Sequence, residues 1–268
     1  MPIYTILGGT GSTGSAVIRA LLAFPQPDLS IRIFVRSKSK LLNLLPELTT
    51  HLNTTIIEGS LNSQSDLSKC LSGSDAIFSC IATNDSAPET TIAVDTAASI
   101  ISALRLLRST SGETFKSPLV LVLTSASVND SLQDKPPQPL KALLERALWY
   151  LYEDLRKAQS LYLSLREDDP GLLDAIFVQP PAIMPGTVPT GHEISTVRGG
   201  SVVSFADVGA GMVEMAGKRG ELKWKGVSVL ATGKVVSDWG PNIRALLPGM
   251  VAYCSPMIWR LGRSWGLW

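Results

Sequence analysis

Short apolar runs alternate with helix-length segments along the first two thirds of the chain. Runs rich in Ile, Val and Leu predict buried strands at residues 3–7, 31–35, 55–58, 76–81, 119–123 and 173–178. The segments between them predict helices at 12–24, 41–45, 63–71, 89–107 and 140–165. Continuous apolar strands joined by helices are typical of a parallel sheet covered on both faces. The pattern therefore predicts an α/β fold with a doubly wound sheet, whose ligands bind at the carboxyl ends of the strands.

The pattern is weaker after residue 200, where it predicts a short helix near 207–216, a strand near 227–230 and then an aromatic tail. Proline-rich loops occur at 135–139 and 179–189, and the second is placed where a substrate loop would lie. We predict a single domain over residues 1–268, with a small C-terminal substrate-binding portion formed mainly by residues 180–268.

Charge and composition argue against several classes of function. The formal net charge is +1, so the overall charge does not draw the chain to nucleic acid or to an acidic membrane. Three distant cysteines and two histidines predict neither a disulfide framework nor a metal site. The N-terminus lacks the pattern of a signal peptide, and the longest apolar run near the C-terminus is too short to span a membrane. We expect a cytoplasmic protein.

A glycine-rich turn directly follows the first predicted strand and opens the first predicted helix. The pyrophosphate of a dinucleotide needs backbone N–H groups at close range, and side chains would block that approach. The positive end of the helix dipole favours the same negative charge. This order of strand, turn and helix predicts a Rossmann-type dinucleotide site. Its residues are Gly8, Thr10, Gly11, Ser12, Thr13 and Gly14.

The segment after the second predicted strand indicates which dinucleotide binds. NAD-binding proteins usually carry an acidic residue here, which holds the ribose hydroxyls. This chain has Arg36-Ser37-Lys38-Ser39-Lys40 instead. The guanidinium of Arg36 suits the adenine ring and the 2′-phosphate, with Lys40 nearby, so we expect NADP(H). The alternative is a basic turn that contacts only solvent.

The spacing Gly8-x-x-Gly11-x-x-Gly14 resembles that of the atypical and extended short-chain dehydrogenases/reductases, above all their NmrA-like and biliverdin-reductase-B-like branch. The resemblance implies an NADP(H)-dependent oxidoreductase. It also implies cofactor contacts after the third, fourth and sixth strands, from Ser60, Leu61, Ile81, Ala82, Thr83, Pro180, Ala182 and Ile183. Ser60 departs from the family, which commonly has Asp at this position.

The same resemblance implies a serine after the fifth strand and a Tyr-x-x-x-Lys on the next helix. In such a pair the tyrosine exchanges a proton with the substrate, and the lysine lowers the tyrosine pKa. Ser125 matches the serine, and Tyr152 matches the tyrosine with Arg156 in place of lysine and Lys157 one position later. Tyr150 is the tyrosine of the alternative register. Both tyrosines also suit packing positions on a long helix.

Three segments resemble a narrower group, the averufin-oxidase-like oxidoreductases of fungal polyketide clusters. They are Tyr152-Glu153-Asp154-Leu155, Gln179-Pro180 and Gly191-His192-Glu193-Ile194-Ser195. His192 is either a second candidate proton donor or a surface residue. This resemblance implies a small hydrophobic substrate, an aromatic polyketide carbonyl or alcohol. Two alternatives stay open: an NmrA-like redox sensor that binds NADP(H) without turnover, and a redox-neutral isomerase, cyclase or dehydratase.

The last residues form an apolar tail that contains Trp259, Trp265 and Trp268, interrupted by Arg260 and Arg263. One interpretation is a helix that packs on the domain or forms a homodimer interface. A lid over a flat substrate and a peripheral membrane contact are the alternatives.

Overall fold

The computed structural model describes residues 1–23, 28–133, 137–236 and 240–267. Its strands are β1 (Ile3–Leu7), β2 (Ser30–Val35), β3 (Thr54–Glu58), β4 (Ala76–Ser79), β5 (Leu119–Leu123), β6 (Asp174–Val178), β7 (Ala182–Met184), β8 (His192–Ser195), β9 (Val202–Ser204) and β10 (Gly226–Ala231). Within these residues, eight strands form one sheet in the order β3-β2-β1-β4-β5-β6-β10-β8. All neighbours are parallel except β8, which runs antiparallel to β10. The strands β7 and β9 form a separate parallel pair.

Helices cover both faces of this sheet. They are α1 (Ser12–Ala23), α2 (Lys38–Leu44), α3 (Gln64–Leu71), α4 (Ile92–Ser111), α5 (Gln138–Ala147), α6 (Trp149–Asp168), α7 (Phe205–Ala216), α8 (Arg219–Leu222), α9 (Gly240–Cys254) and α10 (Pro256–Ser264). Buried apolar side chains of α1, α2 and α7 form the core on one face, and those of α3, α4 and α6 form the core on the other. The doubly wound α/β fold expected from the apolar pattern is confirmed.

The helices α1 and α7 pack against each other at very short range. A Cβ atom at Gly209 of α7 would lie 2.5 Å from the backbone carbonyl carbon of Ala16 in α1. A glycine therefore lets the two backbones approach, and α7 is fixed against the helix that starts at the glycine-rich turn.

The C-terminal helices lie against α5 and α6. A Cβ atom at Gly249 of α9 would lie within van der Waals overlap of the Ala147 carbonyl oxygen, at the end of α5. The hydroxyl of Tyr150 donates to the Ala252 carbonyl at 3.5 Å, and the rings of Trp149 and Tyr253 meet edge-on at 5.8 Å. These contacts hold α9 on the start of α6.

Two predicted helices differ from the observed ones. The single helix predicted over 140–165 is wrong, because the chain bends at Leu148, whose ψ is +20°, and forms α5 and α6. The bend lies beside Gly249 of α9, a long-range contact that the local pattern does not reveal. The helix predicted over 89–107 begins later, at Ile92, and continues to Ser111.

Some predictions fall outside the described residues or are not tested. Phe24, expected to end the first helix, the first two residues of the loop 135–139 and Trp268 lie outside the described residues. The division that assigns substrate binding mainly to residues 180–268 stays a prediction.

Candidate active site

The glycine-rich turn lies at the carboxyl end of β1. Gly8 has a φ of +86°, and the amide of Gly11 donates to its carbonyl at 2.9 Å. A Cβ atom at Gly14 would lie 2.2 Å from the Gly8 oxygen, so the start of α1 packs directly on the turn. Gly11 and Ser12 are exposed, Thr10 is half-buried and Thr13 is buried. The open outer surface of the turn and the first amides of α1 fit a pyrophosphate.

Arg36 is exposed directly after β2. In the part of the chain that the structure describes, its guanidinium forms no ion pair. The hydroxyl of Ser37 caps α2 by accepting a hydrogen bond from the Lys40 amide at 3.2 Å. The amide of Lys38 donates to the Glu58 carboxylate at 2.6 Å. This corner therefore presents exposed cations together with one carboxylate.

The chain after β3 is held close to β2. The amide of Gly59 donates to the Val35 carbonyl at 3.0 Å, and a Cβ atom at Gly59 would lie 2.9 Å from the Phe34 ring. Ser60 is exposed, and its hydroxyl accepts from the amide of Asn62 at 3.3 Å. Leu61 is half-buried against the core.

The end of β4 lies against the glycine turn. The amide of Cys80 donates to the Leu7 carbonyl at 3.1 Å, and a Cβ atom at Gly8 would lie 2.9 Å from the side chain of Ile81. Ala82 follows as an exposed residue and Thr83 as a half-buried one. The predicted cofactor residues of β1 and β4 are thus neighbours.

A cluster of three hydroxyl groups lies at the end of β5. The hydroxyl of Tyr152, on α6, donates to the Ser127 hydroxyl at 3.1 Å. The hydroxyl of Ser125 accepts from the amide of Ser127 at 3.3 Å and begins a single 3₁₀ turn over residues 126–128. The turn therefore carries both serines to the tyrosine.

The surroundings of Tyr152 keep its hydroxyl protonated. Burial raises the Tyr152 pKa most, and the charge of Glu145 raises it further, while the hydrogen bonds with Ser127 and Ser125 and the charge of Arg156 lower it by less. Arg156 lies one turn further along α6 and forms an ion pair with Glu153 at 2.8 Å. A phenol that is protonated at neutral pH and touches two hydroxyls can donate a proton.

The structure separates the two tyrosines that the sequence left as alternatives. Tyr150 contacts α9, as described above, and lies half-buried on a different side of α6 from Tyr152. Asp154, four residues after Tyr150, is buried and accepts from the amides of Ala93 and Val94 at 2.8 and 3.1 Å. It caps the start of α4. Tyr150 and Asp154, the pair of the alternative register, therefore both hold helices in place.

The segment after β6 contacts the 3₁₀ turn that begins at Ser125. The amide of Ala126 donates to the Pro180 carbonyl at 3.0 Å. The fully buried side chain of Gln179 accepts from the Asn129 amide nitrogen at 2.7 Å and donates to Gln159 of α6 at 3.3 Å. Ala182 and Ile183 follow in β7, half-buried. Gln179, at the end of β6, is thus hydrogen-bonded both to the segment that follows β5 and to the helix that carries Tyr152.

His192 is not brought to the hydroxyl cluster. Its Nε2 lies 2.9 Å from Glu214 on α7, which covers the opposite face of the sheet from α6. Burial raises the Glu214 pKa, but hydrogen bonds from Lys218 and His192 lower it more, so the net shift is downward. The arrangement is a charged cluster that holds β8 to α7.

The loop before β8 is fixed by a buried carboxylate. Asp207 accepts from the amides of Thr190 and Gly191 at 2.8 and 3.0 Å and from the Ser204 hydroxyl at 2.6 Å. The proline-rich loop therefore ends at a rigid point on α7.

Comparison with known proteins identifies the family. A family profile described as NAD(P)H-binding matches residues 8–219. Averufin oxidase A of Dothistroma septosporum is 37% identical over 250 residues, which cover 90% of this chain and 87% of that protein. An oxidoreductase of Emericella nidulans is 32% identical over 97% of this chain and 94% of that protein. The chain belongs to this family of NAD(P)H-binding oxidoreductases.

Solved structures agree on the fold. A short-chain dehydrogenase/reductase from Veillonella parvula in complex with NADP has a TM-score of 0.63 and 18% identity, over 87% of this chain and 95% of that chain. At this identity the likeness concerns the fold alone. The family match indicates that this oxidoreductase binds a nicotinamide dinucleotide. The close packing at Gly8 and Gly14 in the turn fits a pyrophosphate site.

Sequence reasoning missed four polar residues around the site. They are Glu58, Ser127, Gln179 as a buried hydrogen-bonding centre, and Asp207. Ser127 lies two positions after Ser125 in the motif Thr-Ser-Ala-Ser. The second serine of this motif was the signal in the sequence that could have indicated a further hydroxyl beside Ser125. The described residues contain no cluster of His, Cys, Asp and Glu that would hold a metal ion, and no helix that is long and apolar enough to cross a membrane.

Proposed function

We propose that this oxidoreductase transfers hydride between NADP(H) and a carbonyl or alcohol carbon of a small, hydrophobic aromatic polyketide. The observation that carries the proposal is the contact between the Tyr152 hydroxyl and the Ser127 hydroxyl at 3.1 Å, beside Ser125. The substrate class rests on relatives that are named averufin oxidase.

The protein groups have distinct proposed roles. When bound, the nicotinamide supplies or accepts the hydride. Tyr152 gives a proton to the substrate oxygen in the reducing direction, and its raised pKa keeps that proton available. Ser125 polarises the same oxygen by a hydrogen bond. Ser127 holds the tyrosine hydroxyl towards Ser125 until the substrate oxygen replaces it as acceptor.

Arg156 has the role that lysine has in related reductases. Its guanidinium stays charged at all relevant pH values and lowers the Tyr152 pKa, but it cannot pass on a proton. We infer that it acts on the tyrosine through its charge and holds the nicotinamide ribose. His192 has no part in this proposal, because its partner Glu214 lies on the opposite face of the sheet.

The cofactor proposed is NADP(H) rather than NAD(H). Exposed Arg36 and Lys40 stand where a 2′-phosphate would bind, and they support this preference. The remaining cofactor contacts are proposed for the glycine turn and for the ends of β3, β4 and β6.

The test of function follows NADPH absorbance with a panel of aromatic polyketide ketones that includes averufin. Tyr152→Phe should lower kcat by about 10²–10⁴-fold, because general acid catalysis contributes that much. Tyr150→Phe is the matched control and should change kcat little, since that hydroxyl only donates to a carbonyl of α9 at 3.5 Å. Equal turnover by both variants would refute the role of Tyr152.

Two other results would favour the alternative functions. Tight NADPH binding without NADPH consumption on any ketone would indicate a redox sensor. A product whose mass equals that of the substrate would indicate a redox-neutral isomerase or cyclase. A homodimer through the C-terminal tail and a cytoplasmic location stay predictions from the sequence.

A further inference from the structure

The carboxamide of Gln179 is a polar group without contact to solvent at the end of β6. The residue is 0% exposed, and its side chain is hydrogen-bonded at both ends. The oxygen accepts from the Asn129 side chain at 2.7 Å, and the nitrogen donates to the Gln159 side chain at 3.3 Å. Burial of an amide is costly unless its hydrogen bonds are made, whereas methionine would fill a similar volume without that cost. What glutamine adds at this position is thus its two directed hydrogen bonds.

The start of β10 leaves room for this carboxamide. A Cβ atom at Gly226 would overlap the Gln179 side-chain oxygen and would lie 2.7 Å from the side-chain nitrogen of Asn129. Because Gln179 has no exposed surface, its carboxamide has no path into solvent by which to avoid that overlap. The glycine at the first position of β10 is therefore a condition for the pair of hydrogen-bonded amides.

The two hydrogen bonds of Gln179 join the helix of the candidate proton donor to the turn that carries the serines. Gln159 follows Tyr152 by seven residues on α6, which is close to two turns, so both side chains leave the helix on the same side. Asn129 is the C-cap of the 3₁₀ turn that contains Ser127. One link between this turn and α6 thus passes through the tyrosine hydroxyl, and another passes through Gln179.

We propose that Gln179 is a positioning residue, which holds the serine turn against α6 while Tyr152 gives its proton to the substrate oxygen. This inference rests on the proposed function. In that reaction the tyrosine hydroxyl exchanges Ser127 for the substrate oxygen, so the link through the tyrosine is lost. The link through Gln179 does not involve the reacting hydroxyl, and it stays intact. It keeps Ser125 within reach of the same oxygen, where a displacement of about 1 Å lowers the rate by up to roughly a hundredfold.

The first test compares Gln179→Met with the wild type in turnover of NADPH with the ketone panel. Methionine keeps the volume but loses both hydrogen bonds, so kcat should fall by about tenfold to a hundredfold. The KM of the ketone and the Kd of NADPH should change little, because the groups that bind them are unaltered. Gly226→Ala should lower kcat likewise, since its methyl group displaces the Gln179 carboxamide and removes no polar group. This second variant keeps the proposal testable where Gln179→Met does not fold.

Gln179→Glu separates positioning from packing through its pH dependence. Burial raises the pKa of the introduced carboxyl group, because position 179 has no exposed surface. Below that pKa the neutral acid accepts from Asn129 and donates to Gln159, as the carboxamide does, and above it the carboxylate can only accept. The ratio of its kcat to that of the wild type should therefore rise as pH falls, and the ratio for Gln179→Met should stay constant. Gln64→Glu is the matched control with a ratio near one throughout, since Gln64 donates to Ser102 between α3 and α4 at 2.9 Å.

A further readout needs no turnover. The NMR signal of the Tyr152 Cζ atom in isotope-labelled protein is assigned by its absence from Tyr152→Phe. Gln179→Met should shift this signal, because the turn that carries its acceptor Ser127 moves. The signal of Tyr150 should stay in place, since its hydroxyl contacts α9.

Three results would overturn the proposal. They are an unmoved Tyr152 signal in Gln179→Met, a kcat ratio of Gln179→Glu that does not change with pH, and a loss of kcat that is matched by equal losses of NADPH affinity and folding stability. The last result would give Gln179 a role in packing alone. Failure of the proposed function has a different signature, because Tyr152→Phe would then turn over as fast as the wild type, or no ketone would be turned over. The NMR signal still shows in that case whether Gln179 positions the tyrosine.

Discussion

At the scale of single residues, one exposed guanidinium bears on the choice of cofactor. Arg36 follows β2 directly, and in the described chain no carboxylate is paired with it. Glu58 acts in the opposite sense, because its carboxylate accepts from the Lys38 amide at 2.6 Å in the same corner. The balance between these two charges is expected to decide how strongly the 2′-phosphate is favoured.

Arg36→Ala should raise the Kd of NADPH by about tenfold to a hundredfold, because a charge-assisted hydrogen bond to phosphate is lost. The Kd of NADH should change little. Fluorescence titration with both cofactors measures the two constants. Arg105→Ala, which removes an exposed ion pair with Asp169 at 3.0 Å, is the control. Equal affinity of the wild type for NADPH and NADH would contradict the role of Arg36.

At the scale of helices and strands, the contact between α1 and α7 connects the cofactor turn to the C-terminal part of the chain. Gly209 makes this contact possible, since any side chain there would meet the backbone of Ala16. The same helix α7 carries Asp207, which holds the loop before β8. A shift of α7 would therefore displace both the turn and the loop.

Gly209→Ala should lower the free energy of unfolding by about 1–3 kcal/mol, because the two helix backbones must separate. Gly220→Ala is the matched control: it lies in the helix α8, and no atom lies within 4 Å of the added methyl group. That variant should be neutral or more stable by up to about 1 kcal/mol. Urea denaturation measures both, and a neutral Gly209→Ala would show that the helices can separate without cost.

A feature of this fold could be predicted from the sequence when its signal lies in neighbouring residues, and could not when it depends on distant segments. The strands β1 and β5 and the helix α3, with its Ser63 cap, begin and end where the sequence predicts, since apolar runs and caps are local signals. The short strands β7 and β9 were not predicted because each has three residues and depends on its partner. The bend at Leu148 and the contact of Tyr152 with Ser127 depend on packing between distant segments. The glycine turn was therefore predictable, but the arrangement of the hydroxyl cluster was not.

At the scale of the whole molecule, two buried thiols connect folding to pH. Burial raises the pKa of Cys70 and of Cys80 from 9.0 to about 12, with a smaller opposing effect of Arg32 on Cys70. Burial also raises the pKa of Tyr162. Between pH 9 and 12 the folded protein holds protons that the unfolded chain has lost, so stability declines as pH rises through this window.

The free energy of unfolding should therefore be constant near neutral pH and fall above pH 9, by about 1.4 kcal/mol per pH unit for each thiol. Urea denaturation at constant ionic strength between about pH 7.5 and 10.5 measures the decline. The double variant Cys70→Ala, Cys80→Ala should start less stable because of its cavities, but should lose stability with a shallower slope. An unchanged slope would mean that the thiols do not cause the decline.

The carboxylate of Asp154 has a consequence for engineering this oxidoreductase. It lies two residues after Tyr152 on the same helix and bonds the first amides of α4. The loop of residues 84–91 leads directly into those amides, so changes in this loop act on the same contact. Substitutions that shift the start of α4 would be transmitted through Asp154 to the tyrosine. Libraries in this loop are thus expected to contain many inactive members unless they preserve the backbone at Ala93 and Val94.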